Sequence, residues 1–144
     1  MAEALKGSCM CGACKSTATP TVGGLGAGAC HCGMCRKWSG GMYLSVDCGS
    51  SVKFDEGAPV GSYKGSEWGE RLFCRECGSS LLWQTQDGQN QHVSIQAFDD
   101  PGQFEIGVQV FIDKKPGNYA LAGETKTMTE AEVFAMFAPD ADPS

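Results

Sequence analysis

The stretch Ala29-Cys30-His31-Cys32-Gly33-Met34-Cys35-Arg36-Lys37-Trp38 decides how the rest of the chain is read. It places three thiols within six residues, which no ordinary hydrophobic core requires. If Cys30–Cys32 is extended, side-chain alternation sends Cys30 and Cys32 to the same side of the strand. A turn through Gly33-Met34 then brings Cys35 back to the same point. The spacing predicts a three-thiolate metal site. Zinc prefers four ligands in a tetrahedron, so three local ligands leave one position open for water or a substrate. His31 points to the other side of such a strand and is expected to support the site rather than ligate. Arg36 and Lys37 follow directly and can attract a carboxylate.

Four further cysteines fall into two short motifs, Cys9-x-Cys11 and Cys74-x-x-Cys77. Cys74-Arg-Glu-Cys-Gly78 has the form of a zinc knuckle, in which backbone N–H groups support the thiolates and the glycine supplies a positive φ. A knuckle provides two ligands, and Cys9 and Cys11, on one side of a strand, can provide the other two. The resulting closed site would clip the N-terminal strand to a hairpin 63 positions later (74 − 11). Cys14 and Cys48 stand outside these motifs and read as free thiols, although either of them, or His31, could still close the open position at Cys30, Cys32 and Cys35. A C-x-x-C pair such as Cys32/Cys35 also suits thiol exchange, but the βαβ context of that chemistry is missing.

The chain has 144 residues, enough for one domain spanning 1–144. Twenty glycines and 9% aromatic residues favour a turn-rich, mainly β protein. Eleven basic against 17 acidic residues give a net charge of −6, which argues against nucleic-acid binding, since that depends on neutralising phosphates. The N-terminus lacks the apolar core of a signal peptide and no apolar run is long enough to span a membrane. Nine cysteines without a secretion signal predict metal ligation in a reducing compartment, the cytoplasm.

Along the chain, Thr17 and Thr19 suggest a strand, and Pro20–Gly28 a glycine-rich turn ending a hairpin. Residues 41–47 alternate Met42, Leu44 and Val46 against Tyr43, Ser45 and Asp47, predicting a half-buried strand. Residues 59–68 read as a loop punctuated by Gly61, Gly65 and Gly69. Arg71–Trp83 reads as strand, metal knuckle, strand. Val93, Ile95 and Ala97, and then Ile106, Val108, Val110 and Ile112, continue the period-two pattern. Trp38, Trp68 and Trp83 are expected in a core or pocket wall, and His92 at the start of a strand. Thr129-x-x-Glu132 is a capping box predicting a helix over about 129–138, with Val133, Phe134 and Phe137 on its apolar face. Residues 139–144 are expected to be a flexible tail.

The ordered motifs Gly7-Ser-Cys-Met-Cys-Gly-Ala13, Ala29–Gly40 and Phe73-Cys-Arg-Glu-Cys-Gly-Ser-Ser-Leu81 resemble the glutathione-dependent formaldehyde-activating enzyme family, which includes the centromere protein V domain. Phe98-Asp-Asp-Pro101 and Phe111-Ile-Asp-Lys-Lys-Pro-Gly-Asn-Tyr119 are similar to two later family stretches. The resemblance covers about residues 7–123. It implies a zinc-clipped β-tent of small antiparallel sheets, a closed structural zinc and a second zinc on the C-x-C-x-x-C ligands. The implied activity is condensation of formaldehyde with glutathione to S-hydroxymethylglutathione, formally the reverse of a carbon–sulfur lyase. Two departures stand out: position 14 is Cys where relatives carry an aliphatic residue, and the segment from about Met128 lies outside the shared core, as a dimer or lid element.

The expected function is therefore a zinc-dependent carbon–sulfur lyase-like enzyme handling thiol–aldehyde adducts. Cys30, Cys32 and Cys35 would form its working site, Arg36 and Lys37 would contact a glutathione carboxylate, and Cys9, Cys11, Cys74 and Cys77 would hold the structural zinc. The alternatives are a zinc-stabilised binding module and a thiol or metal redox sensor. The expected partners are a small thiol such as glutathione, an aldehyde and a second copy of the chain in a homodimer, with no nucleic acid and no membrane.

Overall fold

Strand dominates, as the period-two patterning predicted: 38% of the described residues are strand and 18% helix. The structure, a computed structural model, describes residues 3–21 and 26–137. Its strands are β1 (Leu5–Ser8), β2 (Lys15–Ala18), β3 (Gly26–Cys30), β4 (Tyr43–Asp47), β5 (Lys53–Phe54), β6 (Val60–Tyr63), β7 (Gly69–Cys74), β8 (Ser80–Thr85), β9 (Gln91–Ser94), β10 (Glu105–Val110) and β11 (Lys126–Met128). Two α-helices, α1 (Gly33–Ser39) and α2 (Glu130–Phe137), complete it with three single-turn 3-10 segments. No helix among the described residues is long and apolar enough to cross a membrane. The chain divides into two compact units, Met1–Gly26 with Ser45–Glu105, and Ala27–Leu44 with Ile106–Ser144.

In the first unit, β1, β2 and β5 form a three-stranded antiparallel sheet. β2 takes its partners from that sheet, so the Pro20–Gly28 stretch does not close a hairpin between β2 and β3; its residues 22–25 lie outside the described residues. The antiparallel run β9-β8-β7-β6, with Ser45–Asp47 of β4 beside β9, carries two cross-strand rows. Leu72, Leu82, Val93 and Val46 share one face, and the last three are at most 5% exposed. Arg71, Trp83, His92 and Asp47 share the other.

The span 59–68, expected as a loop, contains β6. Its glycines are not all punctuation. A Cβ on Gly61 would lie 2.7 Å from the Phe73 ring, and one on Gly69 would lie 2.7 Å from the Trp83 indole. Both glycines therefore clear space for an aromatic ring on an adjacent strand. The alternation of 41–47 is also less clean than expected: Tyr43 is buried, because its ring meets Trp38 at 5.2 Å. The strand pattern through Ala97 stops at Ser94, where Ile95–Ala97 winds into a 3-10 turn.

In the second unit the strand order is β11-β10-β3, and β10 pairs with β11 in parallel, unlike the small antiparallel sheets expected. The chain leaves β10 through Phe111, a non-glycine residue at φ 55°, and enters the 3-10 turn Ile112–Lys114 rather than continuing as strand. The capping box forms as predicted: the Glu132 N–H donates to Thr129 Oγ1 at 3.3 Å, and the Thr129 N–H to Glu132 Oε1 at 3.0 Å. A Lys114–Glu130 ion pair at 3.1 Å and the Glu130 N–H on Asp113 Oδ1 at 2.9 Å tie the start of α2 to that turn. Ala138 and the tail 139–144 lie outside the described residues.

Candidate metal centres

The structure brings together both predicted thiol groups. Among the described residues, the Sγ atoms of Cys9, Cys11, Cys74 and Cys77 form one cluster and those of Cys30, Cys32 and Cys35 another, with all atoms in each group within 4.8 Å of one another. None of the nine cysteines forms a disulfide.

The four-thiol cluster is assembled by the end of β1, the turn after it, and the β7–β8 hairpin. Cys9 to Cys11 is 3.6 Å between sulfurs and Cys11 to Cys74 is 3.9 Å. A tetrahedron with metal–sulfur bonds of about 2.3 Å has edges of about 3.8 Å, so these spacings already match a thiolate-bound metal. Gly78 adopts φ 81°, as the knuckle requires, and its N–H donates to the Cys74 carbonyl at 2.8 Å. Backbone N–H groups of Glu76 and Cys77 reach Cys74 Sγ at 3.3 and 3.5 Å, and that of Cys14 reaches Cys9 Sγ at 3.3 Å.

These donors sort the thiols electrostatically. Hydrogen bonding from the Ser79 side chain pulls the Cys77 thiol down to about 5. Burial pushes Cys9 upward, but the Cys14 backbone and the neighbouring Cys11 and Cys74 thiols outweigh it and leave Cys9 lowered. The Ala13 backbone pulls Cys11 down, yet the Cys9 thiol beside it drives the net value up to about 11. A cation bound at the cluster would favour the ionised form of these thiols.

The triad is built differently from the expected turn. Cys30 ends β3, Cys32 caps α1 in an extended conformation, and Cys35 lies in the first turn of that helix. Gly33-Met34 is therefore helical rather than a loop. The Cys35 N–H donates to Cys32 Sγ at 3.4 Å, so the capping atom is itself a candidate ligand. At the other end Gly40, at φ 76°, closes the helix with its N–H on the Arg36 carbonyl at 2.9 Å. Cys35 is 6% exposed. Cys30 is pushed well above the usual thiol range, first by Cys32, then by Cys35 and by burial. Among the described residues no fourth His, Cys, Asp or Glu joins the triad.

Cys14 and Cys48 join neither cluster and are buried at 0% and 1% exposure, with burial pushing each thiol up to about 12. His31 is likewise fully buried, and both ring nitrogens have partners: Nδ1 lies 2.9 Å from the Tyr119 hydroxyl and Nε2 2.8 Å from Gln109 Oε1. Arg36 Nε donates to the His31 carbonyl at 2.9 Å, and its guanidinium folds back beside Gly33, where a Cβ would stand 3.6 Å away. Lys37 is exposed. Among the tryptophans, Trp38 is half-buried on Tyr43, while Trp68 is 39% exposed and meets Trp83 edge-on at 5.5 Å.

Sequence reasoning missed Ser79, which bonds Cys77 Sγ at 3.2 Å and accepts the Met10 N–H at 3.0 Å. It also missed Gln109, whose polar side chain is 8% exposed on a strand that carries Ile106, Val108 and Val110. That position, polar within the β10 pattern, was the available signal.

Two thiol clusters on a mainly β scaffold define a small cysteine-rich protein equipped for metal binding. The family model for the glutathione-dependent formaldehyde-activating enzyme matches residues 4–114, and the chain belongs to that family. It is 31% identical over 130 residues to an uncharacterized lyase of Schizosaccharomyces pombe, covering 90% of this chain and 93% of the relative. It is also similar in fold to the crystal structure of a Rhodobacter sphaeroides protein, with a TM-score of 0.58, 20% identity, and coverage of 87% of this chain and 100% of that one.

Proposed function

We propose that this chain is a zinc-dependent enzyme of the carbon–sulfur lyase type that makes and breaks adducts between a small thiol, such as glutathione, and an aldehyde, such as formaldehyde. The observation that carries the reading is the unequal size of the two clusters: four thiols at one and three at the other. Four thiolates saturate a tetrahedral zinc and make a structural clip; three leave a position for a substrate. Family membership and the lyase-named relative support the reaction class.

Cys30, Cys32 and Cys35 would hold the zinc, which would supply a charge that favours thiolate over thiol and a Lewis acid for a carbonyl. The residues of the chain set how strongly. Three thiolates against a divalent ion leave a net charge of −1, which weakens Lewis acidity and favours handling thiols over activating water. Cys32 and Cys35, at the start of α1, keep that donor set rigid. Lys37 and the N–H groups of Arg36 beyond Nε are the cationic contacts for a glutathione carboxylate. In the forward direction the carbon–sulfur bond forms as the thiol proton passes to the aldehyde oxygen; the reverse step breaks the same bond, with no net redox change. We take the chain as a single zinc-binding domain working as a homodimer in the cytoplasm, a reducing compartment that suits cysteines without disulfides.

Elemental analysis combined with glutathione calorimetry tests this reading. The wild type should carry one more zinc per chain than Cys35→Ser, and only the wild type should bind glutathione. Equal zinc content in the two proteins, or zinc at both sites with no thiol binding, would leave a zinc-stabilised binding module instead.

A further inference from the structure

His31 sits between two candidate metal ligands, yet its side chain is turned away from both of them. It is 0% exposed and is held at four points. Its N–H donates to the Val110 carbonyl at 3.2 Å, extending the β3–β10 pairing beyond β3, and its carbonyl accepts Arg36 Nε at 2.9 Å. Its two ring nitrogens meet Gln109 and Tyr119. Gln109 is in turn oriented by donating its Nε2 to Thr125 Oγ1 at 2.7 Å.

The orientation of the Gln109 amide gives the chain its direction. With Gln109 Nε2 on Thr125, the Gln109 carbonyl oxygen faces His31 and accepts from Nε2–H. In a neutral imidazole the other nitrogen is then an acceptor, so the Tyr119 hydroxyl donates to Nδ1. A buried polar atom without a partner costs about 1–3 kcal/mol, so these contacts hold the ring in one orientation.

We propose that His31 and Tyr119 are a positioning pair for the Cys30–Cys32–Cys35 triad, with Tyr119 acting through His31 to fix the segment from which Cys30 and Cys32 project. Neither residue is a ligand or touches the reacting atoms. Tyr119 comes from the loop after β10, 88 residues downstream, and its ring also meets the His31 ring at 5.6 Å. The loop is anchored from within by Lys115 Nζ, which donates to the carbonyls of Pro116 and Tyr119. The triad thus depends on a residue far from it in sequence.

The effect on metal binding rests on the reading of the triad as a metal site; the tautomer and the segment's rigidity do not. Two measurements on the full-length Tyr119→Phe protein therefore accompany each other. The first is nitrogen NMR of the histidine rings with amide hydrogen exchange. In the wild type, His31 should show a protonated Nε2 and a hydrogen-bonded, unprotonated Nδ1. In Tyr119→Phe the Nδ1 signal should move to that of an unbonded acceptor, and exchange at residues 31–36 should rise while residues 71–83 stay protected. The second is chelator competition with cobalt(II) as a spectroscopic probe. Tyr119→Phe should weaken the triad by up to about 10-fold, the low end of the range for partners bonded directly to a ligand because Tyr119 acts through His31, and leave the four-thiol site unchanged. Thr125→Val, at the far end of the chain, should give a smaller effect of the same sign.

A protonated Nδ1 in the wild type, or unchanged exchange at residues 31–36 in Tyr119→Phe, overturns the pair. So does a triad affinity within twofold of wild type. If wild type binds no second metal ion, the function proposed above fails, and the NMR result alone decides the pair.

Discussion

Cys11 and Cys74 are 63 positions apart in sequence, yet their sulfurs stand 3.9 Å apart. The turn after β1 is thereby placed against the β7–β8 hairpin within one unit. The core around this junction is small: Cys9, Cys14, Cys74 and Leu81, with Phe54, Ala58 and Val60 at its edge. With few large apolar side chains at this junction, a metal held by the thiols would add directly to its cohesion.

Cys74→Ser should therefore destabilise the protein by upward of about 4 kcal/mol, the range in which loss of a metal site falls. Urea denaturation with and without a zinc chelator checks it. Chelation should collapse the wild type toward the variant and change the variant little.

Gly7 is a backbone contact that composition alone hides. It bridges to Phe98, and a Cβ at Gly7 would stand 2.2 Å from the Ala97 carbonyl oxygen, a backbone atom that has no rotamer to escape into. Gly7→Ala should cost about 1–3 kcal/mol or more. At Gly107 nothing lies within 4 Å of the added carbon, and Gly107→Ala should stay within about 0.5 kcal/mol of wild type in the same urea series.

His92 sets a pH dependence of defined sign. Burial lowers its pKa, and Asp47 across the strand pair only partly opposes that. A histidine whose folded-state pKa is depressed binds its proton more readily when unfolded. It therefore brings no penalty above the unfolded value near 6.5, and a growing one as pH falls below it. Stability should decline from about pH 6.5 downward, and His92→Gln should flatten that part of the curve. An unchanged slope in the variant would remove His92 as the cause.

The capping box gives a local prediction. Thr129→Ala removes the acceptor for the Glu132 N–H and should cost about 0.5–2 kcal/mol. Helix loss read by circular dichroism should be confined to α2, leaving the strand signal intact.

The cysteine motifs, the knuckle and α2 were legible in the sequence because each rests on local spacing: ligands two or three residues apart, or a cap and its partner at i and i+3. Joining Cys9 and Cys11 to Cys74 and Cys77 rested instead on the four ligands of a closed site. What stayed hidden was set by distant partners. α1 is seven residues long and opens on Gly33, so it has too few apolar positions to show a helical period. β6 was obscured by Gly61, whose missing side chain accommodates Phe73 on the next strand. Gln109 looked outward-facing by alternation, and only the pairing of β3 with β10 brings it to His31. The parallel β10–β11 pairing depends on the connection between those strands, about which a short apolar run says nothing.

The most direct test of the thiol–aldehyde chemistry is exchange spectroscopy on carbon-13 formaldehyde and glutathione at equilibrium with their adduct. The holo-protein should accelerate interconversion of free and glutathione-bound carbon, and Cys35→Ser, folded on its intact four-thiol site, should not. Exchange at the buffer rate with zinc-loaded wild type, or equal acceleration by Cys35→Ser, would contradict catalysis at the triad.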